Sequence, residues 1–367
     1  MSTEAKQWLA RIQGLELPST LRIMNVCGGH ERSITQAGLR SLLSDKLELI
    51  PGPGCPVCIC PEEDLYAAIQ LALHEPVTLL TYGDMLRVPV NVAKGSGQRG
   101  EPRTLMAARA SGADIQPVAS PQQVLEIARD NPGRQICFFM AGFETTTAPL
   151  AALLAEGVPN NLSILLSARL TWPAVAMLLN SEAPGFDGLI APGHVAAIMG
   201  AEQWRFVVQR HGIASAVAGF SAESLLAAIY STLRQVVEGT PMLDNCYREV
   251  VREQGNLAAQ QIIDQVLTVV DGNWRGIGMI PSSGFQLRDE YARHDARKRF
   301  AIVEDAQRKR AGEMPPGCEC AQVVLGRIYP KQCALYGRSC TPRQPMGPCM
   351  VSDEGACRIW WSNGVLA

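Results

Sequence analysis

The chain has 367 residues, of which 47% are hydrophobic, so it is long enough to bury two or three separate cores. Its 33 basic and 35 acidic residues nearly balance, which excludes the strongly basic surface of a nucleic-acid-binding protein. Its beginning lacks the apolar run of a signal peptide, and no uncharged stretch reaches the roughly 18 residues that a membrane helix needs. We therefore expect a cytoplasmic protein without nucleic-acid or membrane partners.

Twelve cysteines stand out against this composition, and their meaning depends on the compartment. Stable disulfides are rare in a reducing cytoplasm, where clustered cysteines more often bind metals or cycle between thiol and disulfide. The expected location therefore makes metal binding and thiol redox chemistry the leading interpretations.

Short apolar runs alternate with amphipathic stretches between residue 21 and about residue 233. The apolar runs predict buried strands at residues 22–26, 47–50, 77–82, 135–140, 162–167, 188–191 and 213–218. Helical spacing and Ala/Leu content predict helices at residues 31–43, 62–74, 103–111, 121–130, 146–156, 172–180, 201–211 and 221–237. This alternation is typical of βαβ units and predicts parallel sheets.

The predicted fold class is α/β, with two Rossmann-like parallel-sheet domains that face a cleft and a loop-rich C-terminal domain. We expect the first α/β domain at residues 1–134, the second at 135–240 and the C-terminal domain at 241–367. Within the last region, residues 249–266 predict a helix and residues 274–284 a Gly-rich irregular stretch. Beyond residue 315 the chain is dense in Cys, Pro and Gly, so it needs a stabilising cross-link or metal.

Two cysteine motifs follow predicted strands in the first part of the chain. Cys27 opens the motif Cys-Gly-Gly-His-Glu, and Cys55 and Cys58 belong to Gly-Pro-Gly-Cys-Pro-Val-Cys. Open parallel sheets bind ligands beyond the carboxyl ends of their strands, so both motifs are expected at such an edge. Cys27 also precedes a predicted helix, whose free N–H groups and dipole favour a thiolate. We expect Cys27 to bind a metal ion.

The neighbouring residues leave alternatives open. His30 is a candidate second ligand or proton carrier, or else a polar residue that caps the helix. The two-residue gap between Cys55 and Cys58 suits a small disulfide ring with an accessible, redox-active thiol. The same pair is alternatively half of a metal site that Cys27 or Cys60 completes.

Two further polar residues follow predicted strands in the second α/β unit. Glu144 lies in Gly-Phe-Glu-Thr-Thr, and His194 lies in Ala-Pro-Gly-His-Val. A carboxylate and an imidazole at strand ends are candidates for moving protons in the cleft. The alternative is that both side chains hydrogen-bond the loops around them.

Four cysteines near the C-terminus are spaced more loosely. Cys320, Cys333, Cys340 and Cys357 are separated by twelve, six and sixteen residues, with no histidine nearby. Four thiolates suit a [4Fe–4S] cluster or a tetrahedral zinc ion, because soft sulfur ligands select both. The loose spacing favours a cluster held by loops over a zinc ribbon with two close pairs. Cys318 and Cys349 lie nearby and compete as ligands.

Together, these motifs resemble the HypD family of [NiFe]-hydrogenase maturation proteins. The resemblance covers nearly the whole chain and extends to Tyr-Gly-Asp at residues 82–84, Trp-Arg-Gly at 274–276 and Glu-Gly-Ala-Cys at 354–357. It implies two α/β domains and a third domain that binds a [4Fe–4S] cluster. It also implies a scaffold that works with a HypC-type partner. On this scaffold, Fe(II) receives one CO and two cyanide ligands before delivery to the hydrogenase large subunit. The resemblance implies that the cyanide comes from a HypE-type donor, which HypF charges.

The resemblance also assigns roles to residues of this chain. Cys27 is expected to bind the iron ion with His30 beside it, Cys55 and Cys58 to form the thiol/disulfide pair, and Cys320, Cys333, Cys340 and Cys357 to hold the cluster. Such a protein is a redox-active assembly scaffold rather than a conventional turnover enzyme.

One motif departs from the family pattern. The chain has Gly-Phe-Ser at residues 219–221 where family members often have Gly-Phe-Glu, so the role of that acid is absent or has moved to Glu223. Two other functions remain open at this point. A stand-alone iron–sulfur thiol/disulfide oxidoreductase would leave Cys27 and His30 unused, and a structural zinc protein would use its α/β unit to bind a small ligand.

Overall fold

The computed structural model describes residues 2–91, 100–181, 184–300, 302 and 314–365. The strands are β1 (Leu21–Asn25), β2 (Leu47–Pro51), β3 (Val77–Tyr82), β4 (Ile115–Val118), β5 (Gln135–Gly142), β6 (Leu162–Ala168), β7 (Gly188–Pro192), β8 (Ala214–Ala218), β9 (Leu243–Asn245), β10 (Leu267–Trp274) and β11 (Gly278–Leu287). The helices are α1 (Thr3–Gln13), α2 (Gly28–Gln36), α3 (Leu39–Leu42), α4 (Pro56–Ile59), α5 (Glu62–His74), α6 (Leu105–Ala110), α7 (Pro121–Asp130), α8 (Glu144–Glu156), α9 (Thr171–Leu179), α10 (Gly193–Met199), α11 (Arg205–His211), α12 (Ala222–Glu238), α13 (Leu257–Val266), α14 (Ala296–Arg299), α15 (Cys320–Val324) and α16 (Ala356–Ser362).

Two parallel sheets form the centre of the fold. The first sheet has the strand order β2-β1-β7-β8-β9, and the second has the order β4-β3-β5-β6. Strands β5, β7 and β8 are buried on both faces, which is why they read as continuous apolar runs rather than as alternating patterns. The predicted α/β class with parallel sheets and a loop-rich C-terminal segment is confirmed.

The sheets do not divide the chain at the predicted boundary. Residue 134 lies between β4 and β5, which both belong to the second sheet. The chain leaves the first sheet after β2, builds the second sheet, and returns to the first at β7. Even β9, from the predicted C-terminal region 241–367, is an edge strand of the first sheet. Apolar runs of similar length do not reveal which sheet a strand joins, so the pattern alone does not show that β3, β4, β5 and β6 share one sheet across residue 134.

Three local predictions also differ from the structure. The predicted helix 31–43 is two helices, α2 and α3, separated by Gly38 in the left-handed conformation with a φ of 62°. The predicted helix 249–266 begins only after Asn256, whose side chain accepts a hydrogen bond from Ala259 N. The predicted irregular stretch 274–284 lies in the antiparallel pair of β10 and β11, because Gly276 and Gly278 provide positive φ values at the turn.

The C-terminal segment packs into a core rather than over the surface. Leu65 of α5, Leu79 of β3, Cys320 and Trp360 belong to one buried apolar cluster. This packing places the C-terminal cysteines against the second sheet and against the turn that contains Cys55 and Cys58, the CPVC turn. Within the described ranges, no helix is both long and apolar enough to cross a membrane.

Candidate functional site

A cleft of about 660 Å³ lies between the carboxyl ends of strands from both sheets. Cys27 follows β1, Asp84 follows β3, Phe143 follows β5 and His194 follows β7, and all four line the cleft. Glu354 of the C-terminal segment lines it as well. Parallel strands bring their carboxyl ends to one edge of a sheet, so the predicted cleft follows directly from the strand order.

Cys27 is half-buried at the N-terminal cap of α2. Burial raises the pKa of its thiol to about 12, and the nearby Glu354 carboxylate adds to this effect. Hydrogen bonds from the N–H groups of His30 and Gly29 lower the pKa, but by less than burial raises it. The expected bias towards thiolate is therefore wrong for the thiol by itself, because desolvation outweighs the helix N-terminus. A metal ion that binds Cys27 must displace this proton.

Two glycines let other segments reach the backbone around Cys27. A Cβ atom on Gly54 would lie 2.5 Å from Cys27 Cα, and one on Gly28 would lie 2.5 Å from the Glu354 Cβ. Side chains at these positions would push the segments apart. The glycines of both motifs thus allow the CPVC turn and the C-terminal segment to close around Cys27.

His30 is fully buried, one helical turn after Cys27. Its Nε2 lies 3.0 Å from the Ala218 carbonyl oxygen and must be the donor, since a carbonyl only accepts. Burial is the main cause that lowers the pKa of His30 to about 4, so the ring is neutral at pH 7. Its Nδ1 is then a bare acceptor, and no donor among the described residues reaches it.

Phe220 lies between the two histidines of the site. Its ring centroid is 4.9 Å from that of His30 and 3.9 Å from that of His194, on which it stacks. Desolvation lowers the pKa of His194, which faces the cleft. Sequence reasoning missed this aromatic contact, although Gly-Phe-Ser after β8 marked the position. Glu223 does not replace the missing acid there: it accepts a hydrogen bond from Ser2 Oγ and is not among the cleft-lining residues.

Glu144 accepts hydrogen bonds from Thr171, a residue at the wall of the cleft. Its Oε1 accepts a hydrogen bond from Thr171 N at 2.7 Å, and its Oε2 accepts one from Thr171 Oγ1 at 2.8 Å. Glu144 is fully buried and does not line the cleft, whereas Thr171 does. The geometry therefore fits the predicted alternative, a hydrogen-bonding role, and these bonds hold the start of α9 against the start of α8.

The burial of Glu144 gives a testable pH dependence. Burial raises its pKa from the ordinary 4.5 to about 7, despite the hydrogen bonds from Thr171. Between these pH values the folded state binds the proton and the unfolded state does not, so stability falls as pH rises through this window. Glu144→Gln cannot ionise. Between pH 5 and pH 8 we therefore expect its free energy of unfolding to fall by about 2 to 3 kcal/mol less than that of wild type.

The test compares urea unfolding of wild type and Glu144→Gln at pH 5 and at pH 8. Glu156→Gln, an exposed substitution at the other end of α8, is the matched control and should follow the wild-type profile. If Glu144→Gln loses as much stability as wild type between the two pH values, Glu144 does not titrate in this window.

Cys55 and Cys58 form a disulfide across the short helix α4, with their Cα atoms 5.3 Å apart. The predicted accessibility of this pair is wrong, because the two residues are only 4% and 2% exposed. The turn before them packs on Cys27, and the C-terminal segment covers their other side. Cys60 does not join the pair: its Sγ lies 3.4 Å from Ser167 Oγ.

The C-terminal segment brings a group of thiols together. The Sγ atoms of Cys320, Cys349 and Cys357 all lie within 4.8 Å of one another, and Cys318 Sγ lies 3.3 Å from Cys320 Sγ. The structure thus unites Cys320 and Cys357 of the predicted set. Cys333 and Cys340, the other two predicted ligands, are buried nearby but outside this tight group. The sequence had offered Cys349 only as a competing ligand, and the structure brings it into the tight group.

The tight group has the character of a soft cation site. Hydrogen bonds with the Cys320 and Cys357 thiols lower the pKa of Cys349, whereas hydrogen bonds with Cys320 and Cys349 raise the pKa of Cys357. These contacts favour a thiolate at Cys349 over one at Cys357. Sulfur ligands of this kind select zinc or iron–sulfur clusters.

The separate thiol sites converge on one narrow gap of about 10 Å³. Cys27, Cys55, Cys58 and Cys349 all line this gap. These residues come from three distant parts of the sequence. Their convergence places the candidate iron ligand, the disulfide and the C-terminal thiol group next to one another.

Glu31 connects the helix of Cys27 to the helix of Cys357. Its Oε1 accepts a hydrogen bond from Trp360 Nε1 at 2.5 Å, and its Oε2 accepts one from Arg40 Nη2 at 2.8 Å. Glu31 is buried, so these charge-assisted bonds are strong. The bond to Trp360 fixes the position of α16 relative to α2.

The fold and the site together define a metal-binding α/β protein with several convergent thiol sites. Comparison with known proteins narrows this class. The HypD family model, described as the hydrogenase formation hypA family, matches residues 3–364. The chain is 38% identical over 355 residues to the hydrogenase maturation factor HypD of Rhodobacter capsulatus, a match that covers 96% of this chain and 91% of the relative.

Other relatives agree with this result. The chain is 37% identical to the hydrogenase maturation factor HypD of Azotobacter vinelandii over 98% of this chain and 94% of the relative. It is also 37% identical to that of Escherichia coli K12 over 93% of this chain and 88% of the relative. The chain therefore belongs to the HypD family of hydrogenase maturation factors, and the resemblance found in its motifs is confirmed.

Proposed function

We propose that this chain is the scaffold on which an iron ion receives its CO and cyanide ligands during [NiFe]-hydrogenase maturation. The observation that carries this proposal is the convergence of Cys27, the Cys55–Cys58 disulfide and Cys349 on one gap beside the cleft. A scaffold for this chemistry needs a thiolate for the iron and a nearby source of electrons. The convergence supports both requirements within one site.

Iron is the substrate of this site, and Cys27 is its proposed ligand. The thiol faces a cleft of about 660 Å³, which has room for an iron ion with diatomic ligands and for a ligand from a partner. The neutral ring of His30 and the carboxylate of Glu354 lie near it. His194 faces the same cleft and is the proposed group for proton movement there. Glu144 acts indirectly, by holding Thr171 at the wall of the cleft.

The C-terminal cysteines fit a [4Fe–4S] cluster. The segment supplies six cysteines, of which five are buried, and three Sγ atoms already lie within 4.8 Å of one another. We propose that four of them hold the cluster: Cys320, Cys333, Cys340 and Cys357, with Cys318 and Cys349 as the competing ligands. When bound, such a cluster supplies electrons one at a time. The Cys55–Cys58 pair stores two electrons as thiols, next to the iron-binding cysteine.

The partners follow from the family resemblance. A HypC-type protein is proposed to share the iron with Cys27 through the open side of the cleft. A HypE-type protein, charged by HypF, is proposed to donate cyanide, and the hydrogenase large subunit receives the finished iron group. We place this work in the cytoplasm, where a reducing environment keeps metal-binding thiols available.

A stand-alone thiol/disulfide oxidoreductase is less well supported by the geometry. Cys55 and Cys58 are 4% and 2% exposed, so a protein disulfide has no direct access to either sulfur. A general oxidoreductase would need one of them at the surface. It would also leave Cys27 and His30 without a role.

Anaerobic purification followed by iron and sulfide analysis with Mössbauer spectroscopy tests the proposed cofactor. About four irons and four sulfides per chain are expected. Zinc without iron would overturn the cluster and favour the structural zinc protein. Restored hydrogenase activity in a host that lacks its own HypD tests the proposed function separately. Rapid turnover of a generic disulfide in the absence of a HypC-type partner would favour the oxidoreductase instead.

A further inference from the structure

Asn25, the last residue of β1, has one buried polar atom that the protein leaves unpaired. The residue is 1% exposed, and its Nδ2 donates hydrogen bonds to Glu31 Oε2 at 3.0 Å and to the Ile50 carbonyl at 3.1 Å. No donor among the described residues lies within hydrogen-bond distance of Asn25 Oδ1. Buried acceptors without a partner are rare in folded proteins, so this one calls for an explanation.

The orientation of the Asn25 amide is determined by its neighbours. Glu31 Oε2 and the Ile50 carbonyl are both acceptors, so the amide group that faces them must be the NH₂. A flipped amide would place three oxygens against one another. The carbonyl oxygen is therefore the unpaired atom, and its position is not a choice between two equivalent assignments.

The unpaired oxygen belongs to a residue that lines the gap shared by Cys55 and Cys58. In the disulfide state neither sulfur carries a hydrogen, so neither can donate to Asn25. Reduction adds a hydrogen to each sulfur and creates two S–H donors in a region closed to solvent. Cys55 Sγ already accepts a hydrogen bond from Cys58 N at 3.1 Å, and Asn25 supplies an unpaired acceptor among the residues that line the gap.

We propose that Asn25 Oδ1 accepts a hydrogen bond from the S–H of the reduced Cys55 and Cys58 pair and thereby favours reduction of the disulfide. This inference rests on the proposed redox use of that pair. With a dithiol reductant, the bond between Cys55 and Cys58 breaks, a disulfide forms in the reductant, and two hydrogens pass to the protein sulfurs. The unpaired acceptor destabilises the disulfide state, and the new hydrogen bond stabilises the dithiol state. Both effects therefore favour reduction.

The experiment measures the equilibrium between the full-length protein and dithiothreitol at fixed pH under anaerobic conditions. Samples are quenched in acid, alkylated after denaturation and analysed by peptide mass spectrometry. Cys60 is a free thiol next to the pair in sequence, so a peptide that spans all three cysteines carries one label when oxidised and three when reduced. We expect Asn25→Ala to lower the equilibrium constant for reduction about fivefold, as for the loss of one hydrogen bond.

A matched control removes another buried amide. Asn161 also donates to main-chain carbonyls, those of Ala128, Asn131 and Arg134, but it lies directly before β6, away from the carboxyl ends of the strands that precede the disulfide. Asn161→Ala is expected to leave the equilibrium constant unchanged. Should Asn25→Ala fail to fold, Asn25→Ser retains a small hydroxyl and is expected to shift the constant in the same direction by a smaller factor.

An equilibrium constant equal to wild type in both Asn25 variants would overturn the proposal, because it would mean that a water molecule satisfies Oδ1 in both redox states. A shift towards easier reduction would overturn it as well. The measurement uses neither iron nor a partner. If the maturation role fails, with normal hydrogenase activity in Cys55→Ala, the shift in Asn25→Ala remains readable.

Discussion

Replacement of Cys27 by alanine is expected to lower hydrogenase maturation by about a hundredfold or more, while the fold and the iron and sulfide content of the protein stay unchanged. Cys27 is half-buried at the cleft, so its sulfur contributes little to the packing of a core. We expect the free energy of unfolding to change by less than about 1 kcal/mol. The large effect arises because the variant lacks the proposed sulfur ligand for the incoming iron.

Hydrogenase activity in a host that lacks its own HypD measures this effect, with iron analysis of the purified variant alongside. Cys246→Ala is the matched control, because Cys246 is also a half-buried free thiol but lies beside Asp244, outside the cleft. The control is expected to support normal maturation. Unimpaired maturation by Cys27→Ala would remove Cys27 from the proposed iron site.

Replacement of Cys357 by alanine is expected to abolish cluster binding and to destabilise the C-terminal segment by several kcal/mol. Cys357 belongs both to the set predicted from the sequence and to the tight group of Sγ atoms. Metal binding contributes to folding where a segment has little regular structure of its own. Iron and sulfide should fall from about four each towards zero, and limited proteolysis should cut the segment faster.

The buried Cys137 of β5 provides the control, since Cys137→Ala also removes a buried sulfur but leaves the C-terminal thiols intact. Cys333→Ala, examined in parallel, is expected to lose the cluster as well. Full iron and sulfide in Cys333→Ala would identify Cys318 or Cys349 as the ligand in its place. Full iron and sulfide in Cys357→Ala would contradict the proposed site itself.

Much of the fold was predictable because burial on both faces leaves a simple pattern. The apolar runs at β3, β5 and β8 are long enough to be strands and are separated by helical spacing. Chemically distinctive residues directly after such runs had to lie at the carboxyl edge of a sheet. The positions of Cys27 and His194 at the cleft follow from this rule alone.

The boundary between the sheets was not predictable in the same way. Whether β7 returns to β1 or continues beside β6 depends on packing between elements far apart in the chain. Helix α8, for example, packs on α10 and α13, although α10 connects two strands of the first sheet. Local periodicity carries no information about such contacts, so the boundary predicted at residue 134 does not follow the sheets.

By itself, the sequence determined the kinds of chemistry that this protein can perform, because residue types and their distance from strand ends are local properties. It identified Cys27, the pair Cys55 and Cys58, and the cysteine-rich C-terminal segment as separate sites. Only the tertiary structure decided that these sites meet at one gap, that the disulfide is buried there, and that Asn25 and Cys349 join it. The reason is physical: closed packing of segments hundreds of residues apart sets distances and solvent access, and neither is encoded in any single stretch of chain.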